Sequence, residues 1–303
     1  MAITAKDVQN LREMTGVGMM DCKKALTEAE GNVDKAIEIL REKGLAASAK
    51  KAGRIAAEGM AYAAVVDGMG VVVEVNAETD FVAKNEKFTD FVKGVAATVA
   101  ANKPADLDAL MECKYAGTDL TVTQQQQEMV LVIGENIKVR RFFFFAENTS
   151  VPYIHAGGKI GVLVNLKVEG GIDATEIGKD VAMQIAALNP RFWDKSQVTQ
   201  DVLDEEKKIM LAQMDNDPKM ANKPEQVKVK IVEGKLNKFY AENCLLQQDF
   251  VKDGEFTVEK YIASAAKALG GTVTFVSAVR FEKGEGIEKR VDDFAAEVAS
   301  MIK

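Results

Sequence analysis

Few residues in this chain are equipped for covalent chemistry. His155 is the only histidine among 303 residues. To act as a general acid or base it would need a carboxylate such as Asp80 within reach, inside a pocket. The sequence shows neither, and the plainer reading is a loop or strand-end histidine satisfied by backbone. Cys22, Cys113 and Cys244 are scattered, with no CxxC. They read as reduced thiols, not as a disulfide framework or a zinc site. No GxxxxGK(S/T), no GxGxxG behind a strand, no HExxH and no GxSxG occurs, so no cofactor or metal is expected. The net charge of −7 argues against a nucleic-acid partner, which needs a clustered basic face. The N-terminus has no apolar signal core, and no run reaches the ~18 apolar residues that span a bilayer. A cytoplasmic protein with no membrane partner is expected, and a binding protein fits better than an enzyme.

The most informative stretch runs from Gly70 to Asn85, Gly-Val-Val-Val-Glu-Val-Asn-Ala-Glu-Thr-Asp-Phe-Val-Ala-Lys-Asn. Its valines predict a buried strand. Thr79 and Asp80 are helix N-cap types. Phe81, Phe88, Phe91 and Val92 then recur near helical spacing, predicting a helix that continues to about Ala101. Asp80 and Phe81 thus fall at a strand-to-helix junction, a rigid place from which to project a binding tip. The competing reading makes Phe81 core and Asp80 a cap.

The elements that would position this junction are of mixed type. Residues 1–55 predict a three-helix module and a linker. Thr4-Ala5-Lys6-Asp7 has the form of a capping box, Val8, Leu11 and Met14 share a face, and Gly16 and Gly18 break the first helix. A second helix spans about Met20 to Ala29, and a third carries Val33, Ala36, Ile37 and Leu40 and stops at Gly44. Met19 and Met20 are neighbours that cannot share one helix face, so an exposed, adaptable Met surface beside Arg12 and Lys23 is expected. Residues 45–59 are an Ala-rich linker with Lys50, Lys51 and Arg54.

Residues 56–147 predict a first core subdomain. Its hairpin turns at Asp67-Gly68-Met69-Gly70, a short helix covers 105–114, and the Gln-rich stretch from Thr121 is a helix start or a loop. A strand follows from Ile137 to Phe145, whose four consecutive Phe place aromatics on both faces and predict a central or covered strand. Residues 148–283 predict a second subdomain. Both follow the order strand, strand, helix, strand, which gives an α+β fold with two antiparallel sheets. Between Pro190 and Thr257, charge-rich patterns over about 199–245 predict an inserted helical hairpin, packing on the core or on a second copy. Residues 284–303 predict a terminal amphipathic helix with Phe294, Val298 and Met301 in line.

Three stretches resemble one family. Glu74-Val-Asn-Ala-Glu-Thr-Asp-Phe-Val-Ala-Lys84 resembles the second signature of translation elongation factor Ts, with Ala77 where Cys or Ser is commoner. Leu11 to Leu26 resembles its first signature, and Phe281 to Lys289 is similar to its C-terminal region. The resemblance implies a ubiquitin-associated-like module at the N-terminus and a C-terminal module that reaches the partner. It also implies a guanine-nucleotide exchange factor that binds elongation factor Tu. Arg12, Met19, Met20 and Lys51 are implied contacts of the GTPase, as are Thr79, Asp80, Phe81, Val82 and His155. His155-Ala156-Gly157 matches a His-Gly contact loop, with Ala156 departing from Gly. Phe81 is implied to wedge beside the Mg²⁺ region of the partner while Asp80 supports it. In some members a hairpin like that at 199–245 dimerises. The alternatives are a generic adaptor, or an enzyme built on Asp80 and His155.

Overall fold

The computed structural model describes residues 3–288. The expected terminal stripe of Phe294, Val298 and Met301 lies outside the described residues. The chain divides into two compact units. The first holds the residues up to Phe144, Ile154–Gly161 and the stretch from Phe281; the second holds Phe145–Tyr153 and Val162–Arg280.

Three helices open the first unit: α1 (Ala5–Thr15), α2 (Met19–Glu28) and α3 (Val33–Lys51). The Thr4 hydroxyl accepts the Asp7 N–H at 3.3 Å and the Asp7 carboxylate accepts the Thr4 N–H at 2.9 Å, so the capping box forms with Asp in the Glu position. Gly16, left-handed at φ 68°, closes α1. Leu11, Cys22, Leu26, Ala36 and Leu40 form a small core, against which Leu131 and Val132 of a later helix pack.

Two expectations fail here. Met14 is 65% exposed. It stands about 60° round the helix from Leu11 and about 120° from Val8, past the edge of the buried face. And α3 does not stop at Gly44. The Ala-rich run that follows keeps it helical to Lys51, and Gly44 is a contact point: a Cβ there would stand 3.4 Å from the Gln127 carbonyl.

The core of this unit is a sheet with helices on one side. β1 (Glu58–Val66) and β2 (Met69–Ala77) pair antiparallel, Glu58 opposite Ala77 and Val66 opposite Met69. Asp67 (φ 49°) and Gly68 (φ 80°) make the two-residue turn, both left-handed as a tight hairpin requires. β2 is buried along its whole length. After it come α4 (Asp80–Ala83) and α5 (Glu86–Asn102), so the single helix expected from residue 80 is in fact two. Phe88, Phe91, Val92, Val95 and Val99 of α5 join the β2 valines in the main core. α6 (Leu107–Glu112) and α7 (Val122–Ile133) follow, and Thr121 with Gln124 forms a capping box, so the Gln run begins a helix.

β3 (Lys138–Phe145) lies beside β2 in the order β1-β2-β3. Among the described residues it is an edge strand, not a central one. Alternation explains how it carries four Phe: Phe142 and Phe144 pack on the core with rings 6.5 Å apart, while Phe143 is 42% exposed.

The second unit repeats the plan. β4 (Thr149–His155), β5 (Ile160–Glu169) and a late strand, Thr272–Glu282, form a sheet in that order. α8 (Thr175–Leu188) follows β5, and α9 (Gln200–Asn216) and α10 (Glu225–Asn243) form the inserted hairpin. Two short strands, β6 (Asp249–Phe250) and β7 (Asp253–Thr257), were not expected; α11 (Val258–Ala268) and the late strand, β8, complete the unit. The fully buried Gln184 of α8 explains the short pair: its amide donates to the Asp249 carbonyl at 3.0 Å and its oxygen accepts the Val251 N–H at 2.8 Å. Satisfying a buried amide fixes the chain around it.

Candidate partner-binding tip

The stretch that links β2 to α5 is held at several points, yet it puts its largest apolar side chain into solvent. Phe81 is 80% exposed, whereas its neighbours Val82 and Ala83 are buried at 8% each. A single helical turn with two inward anchors has no inward direction left for a third side chain. The cap of that turn is Thr79, whose hydroxyl accepts the Val82 N–H at 3.4 Å. Asp80 is the first helical residue, not the cap. Its carboxylate accepts the Lys84 ammonium at 3.0 Å, and this bond and charge hold its pKa below the usual carboxylate range. Asn85 then caps α5 by accepting the Lys87 N–H at 2.9 Å, which is why the helix restarts there.

Residues that carry no sequence signal fix this junction from behind. The Glu135 carboxylate, from the turn after α7, accepts the Glu78 and Thr79 N–H groups, both at 3.0 Å, and the Thr79 hydroxyl at 2.7 Å. The Glu78 carboxylate answers by accepting the Asn136 N–H at 2.6 Å. Arg54 lies 3.5 Å from Glu78, and its carbonyl accepts the Asn136 side-chain amide at 2.8 Å.

One step further back, Glu74 has no exposed surface, though it sits in the middle of a valine strand. Arg140 lies 2.9 Å from its carboxylate, Arg141 bonds its other oxygen, and the Gly284 N–H donates to it at 2.8 Å. Arg141 also pairs with Glu285 at 2.9 Å and stacks over the Phe281 ring at 4.3 Å. A buried carboxylate is tolerable only with such partners. The adjacent pair Arg140-Arg141 in β3 is the one sequence signal of the buried acid.

His155 is exposed and ends β4. The loop after it turns left-handed at Ala156 (φ 47°), Gly157 (φ 64°) and Gly158 (φ 95°). Gly158 lies on β1, where a Cβ would come within 2.6 Å of the Met60 side chain. α4 also packs on β1. The His155 loop and the Phe81 turn therefore share β1 as their support. Asp80 is exposed, committed to Lys84 and held ionised; a proton-accepting base at neutral pH wants the opposite setting. The acid–base reading of Asp80 with His155 gains nothing from this geometry.

On the N-terminal bundle, Arg12, Met19 (50%) and Met20 (65%) are exposed around the α1–α2 corner. Lys51 is half-buried at the end of α3, its ammonium about 4.0 Å from a Cβ built on Gly134. Among the described residues no three His, Cys, Asp or Glu side chains cluster as a metal site, and no helix is long and apolar enough to cross a membrane.

A family model described as Elongation factor TS matches residues 78–285. An elongation factor Ts from Syntrophotalea carbinolica is 50% identical over 307 aligned residues, covering 100% of both chains. The chain belongs to the elongation factor Ts family. Two further relatives, from Clostridium kluyveri and Trichlorobacter lovleyi, are each 47% identical and cover 99% of this chain; 99% and 98% of their own lengths are aligned. Membership makes the chain an elongation factor of protein biosynthesis. The match begins at Glu78, on the Phe81 junction, and ends at Glu285, the partner of Arg141, so it contains the tip, the Glu135 clamp and the Arg pair beneath them.

Proposed function

We propose that this chain is a guanine-nucleotide exchange factor that binds elongation factor Tu and accelerates GDP release by disturbing the GTPase's Mg²⁺ and phosphate site. The observation that carries the reading is Phe81: a large apolar side chain left 80% exposed on a capped, clamped turn. Burying it alone is an unused driving force of about 2 kcal/mol, available to a partner. A GTPase holds GDP through backbone amides, a Lys and Mg²⁺. Because coupling is reciprocal, a factor that releases GDP must bind the empty GTPase more tightly than the GDP form. A rigid wedge achieves this, since the partner and not the wedge then deforms.

In this reading Phe81 enters the partner, Thr79 and Val82 hold the turn, and Asp80 with Lys84 stiffens its outer face. His155 forms a second contact from the same β1 support. Arg12, Met19, Met20 and Lys51 belong to a docking surface on residues 1–55, separate from the exchange step. The 199–245 hairpin, which leaves Ile209, Val227 and Val229 exposed, is a self-association element. Release of labelled GDP from purified elongation factor Tu is the test. Acceleration that grows with this protein and saturates is expected; no acceleration at micromolar protein would overturn the reading.

A further inference from the structure

We propose that Glu135 is a positioning residue for nucleotide release: its carboxylate, by clamping the backbone just ahead of α4, makes the Phe81 turn stiff enough to act. This rests on the exchange reading above and deepens it. The geometry is specific. One carboxylate receives three hydrogen bonds from two consecutive residues, Glu78 and Thr79, across 57 and 56 positions of sequence. Thr79 is the residue whose hydroxyl also caps the turn, accepting from Val82. The clamp is reciprocal, because the Glu78 carboxylate accepts the Asn136 N–H at 2.6 Å and the Asn136 amide donates to the Arg54 carbonyl at 2.8 Å. Each acid thus holds the backbone of the other's segment.

The need for such a clamp follows from the turn itself. A four-residue helix makes almost no internal ladder, so nothing local resists its rotation when Phe81 is pushed. Val82 and Ala83 anchor its inner face, but apolar contacts resist sliding weakly compared with directed bonds. Glu135 fixes the two peptide groups on which the turn pivots. Its bonds go to Glu78 and Thr79 and none to Phe81, so removing it leaves the wedge side chain itself unchanged, while a misplacement of about 1 Å at the tip is enough to slow the step strongly.

Glu135→Ala, Glu135→Gln and Glu135→Asp are compared with the unaltered full-length protein. GDP release from elongation factor Tu is followed over a range of exchange-factor concentration. Glu135→Ala is expected to lower the plateau rate about tenfold or more, with the half-saturating concentration changed less than about twofold. Glu135→Asp, one methylene too short to reach, should behave the same way, which serves if the alanine variant folds poorly. Glu135→Gln should recover most of the plateau, since its oxygen can take both N–H groups and the Thr79 hydroxyl can turn to accept from its amide. In the free protein, hydrogen exchange of the Glu78 and Thr79 amides should quicken in the alanine variant and stay slow in the glutamine variant. A normal plateau in the alanine and aspartate variants, a loss seen only in half-saturation, or an equal loss with glutamine would overturn the proposal. Phe81→Ala is run alongside. If it keeps the full plateau, the reading of the tip fails; if it loses the plateau while Glu135→Ala keeps it, only the clamp fails.

Discussion

The fully buried Glu74 carboxylate accepts the Gly284 N–H at 2.8 Å, joining positions 210 residues apart within the first unit. Gly284 is there because nothing larger fits. Its φ is +70°, and a Cβ would fall 2.0 Å from the Ala57 carbonyl. Gly284→Ala is expected to cost about 2–4 kcal/mol, combining left-handed strain with overpacking. Glu74→Ala should cost about 1–3 kcal/mol, because Arg140 and Arg141 lose their buried partner while Arg141 keeps Glu285. Denaturant unfolding of both variants checks this; a change under about 1 kcal/mol in either would show that the network is not a support of the unit.

The loop after His155 offers a change in the other direction. Ala156 holds φ 47°, where an L side chain is strained by about 1–2 kcal/mol, and glycine gives back about 0.5–1 kcal/mol in unfolded-chain entropy. Ala156→Gly should therefore raise stability by up to about 1 kcal/mol. A lower melting temperature for this variant would refute the balance.

The thiols make a pH prediction. Burial pushes the Cys244 pKa up to about 11 from 9.0, with the Asp194 charge adding to it, and burial raises Cys22 as well. A raised thiol pKa means that the folded state keeps its proton where the unfolded state has lost it. The contribution of Cys244 is then complete below pH 9 and is lost as pH rises towards 11, at a slope of at most about 1.4 kcal/mol per pH unit. Replacing Cys244 with Ala should flatten this alkaline loss. At pH 8 an aromatic disulfide reagent should label the half-buried Cys113 before Cys22 or Cys244. First reaction at Cys244 would contradict its burial.

The fold was legible wherever local chemistry and tertiary packing agreed. The Thr4–Asp7 box, the Asp67-Gly68 turn and the β2 valines each announce an element, and each forms. Errors arose where packing overrode a local signal. Gly44 looks like a stop but is a close approach to Gln127, and four Phe look like a central strand but alternate on an edge. The turn between β2 and α5 was legible because Thr79 and Asp80 follow a strand; the bonds that hold it were not. Glu74, Glu135 and Asn136 act through partners more than 50 residues away, and no periodicity or spacing encodes such bonds.

The inserted hairpin yields a prediction on assembly. α9 and α10 bury only Met214, Val232 and Phe239 along 36 helical residues, 17 and 19 in turn, and leave Ile209, Val227 and Val229 at the surface. Light scattering of a variant with residues 200–243 replaced by a short linker should show fewer chains per particle than in the full protein, with 1:1 binding to elongation factor Tu kept. Loss of that binding in a folded variant would place the partner surface on the hairpin.

The last prediction separates the three residues of the tip. Phe81 is 80% exposed, so Phe81→Ala should leave stability within about 0.5 kcal/mol of the parent. A core phenylalanine would instead cost about 3–5 kcal/mol. If Phe81 is the wedge, its contact forms mainly as nucleotide leaves, and the maximal rate of GDP release should fall about thirtyfold, the size of a 2 kcal/mol hot-spot loss. Thr79→Ala should act differently: it removes the cap of α4 and one bond to Glu135, costing about 0.5–2 kcal/mol and lowering the release rate in the same sense. Asp80→Ala breaks only the exposed contact with Lys84 and leaves the cap in place, so its effect on stability should be the smallest of the three. Thermal melts with GDP-release kinetics on all three variants give the order. A large melting shift for Phe81→Ala with normal release per folded molecule would mean that this side chain supports the fold and some other residue does the prying.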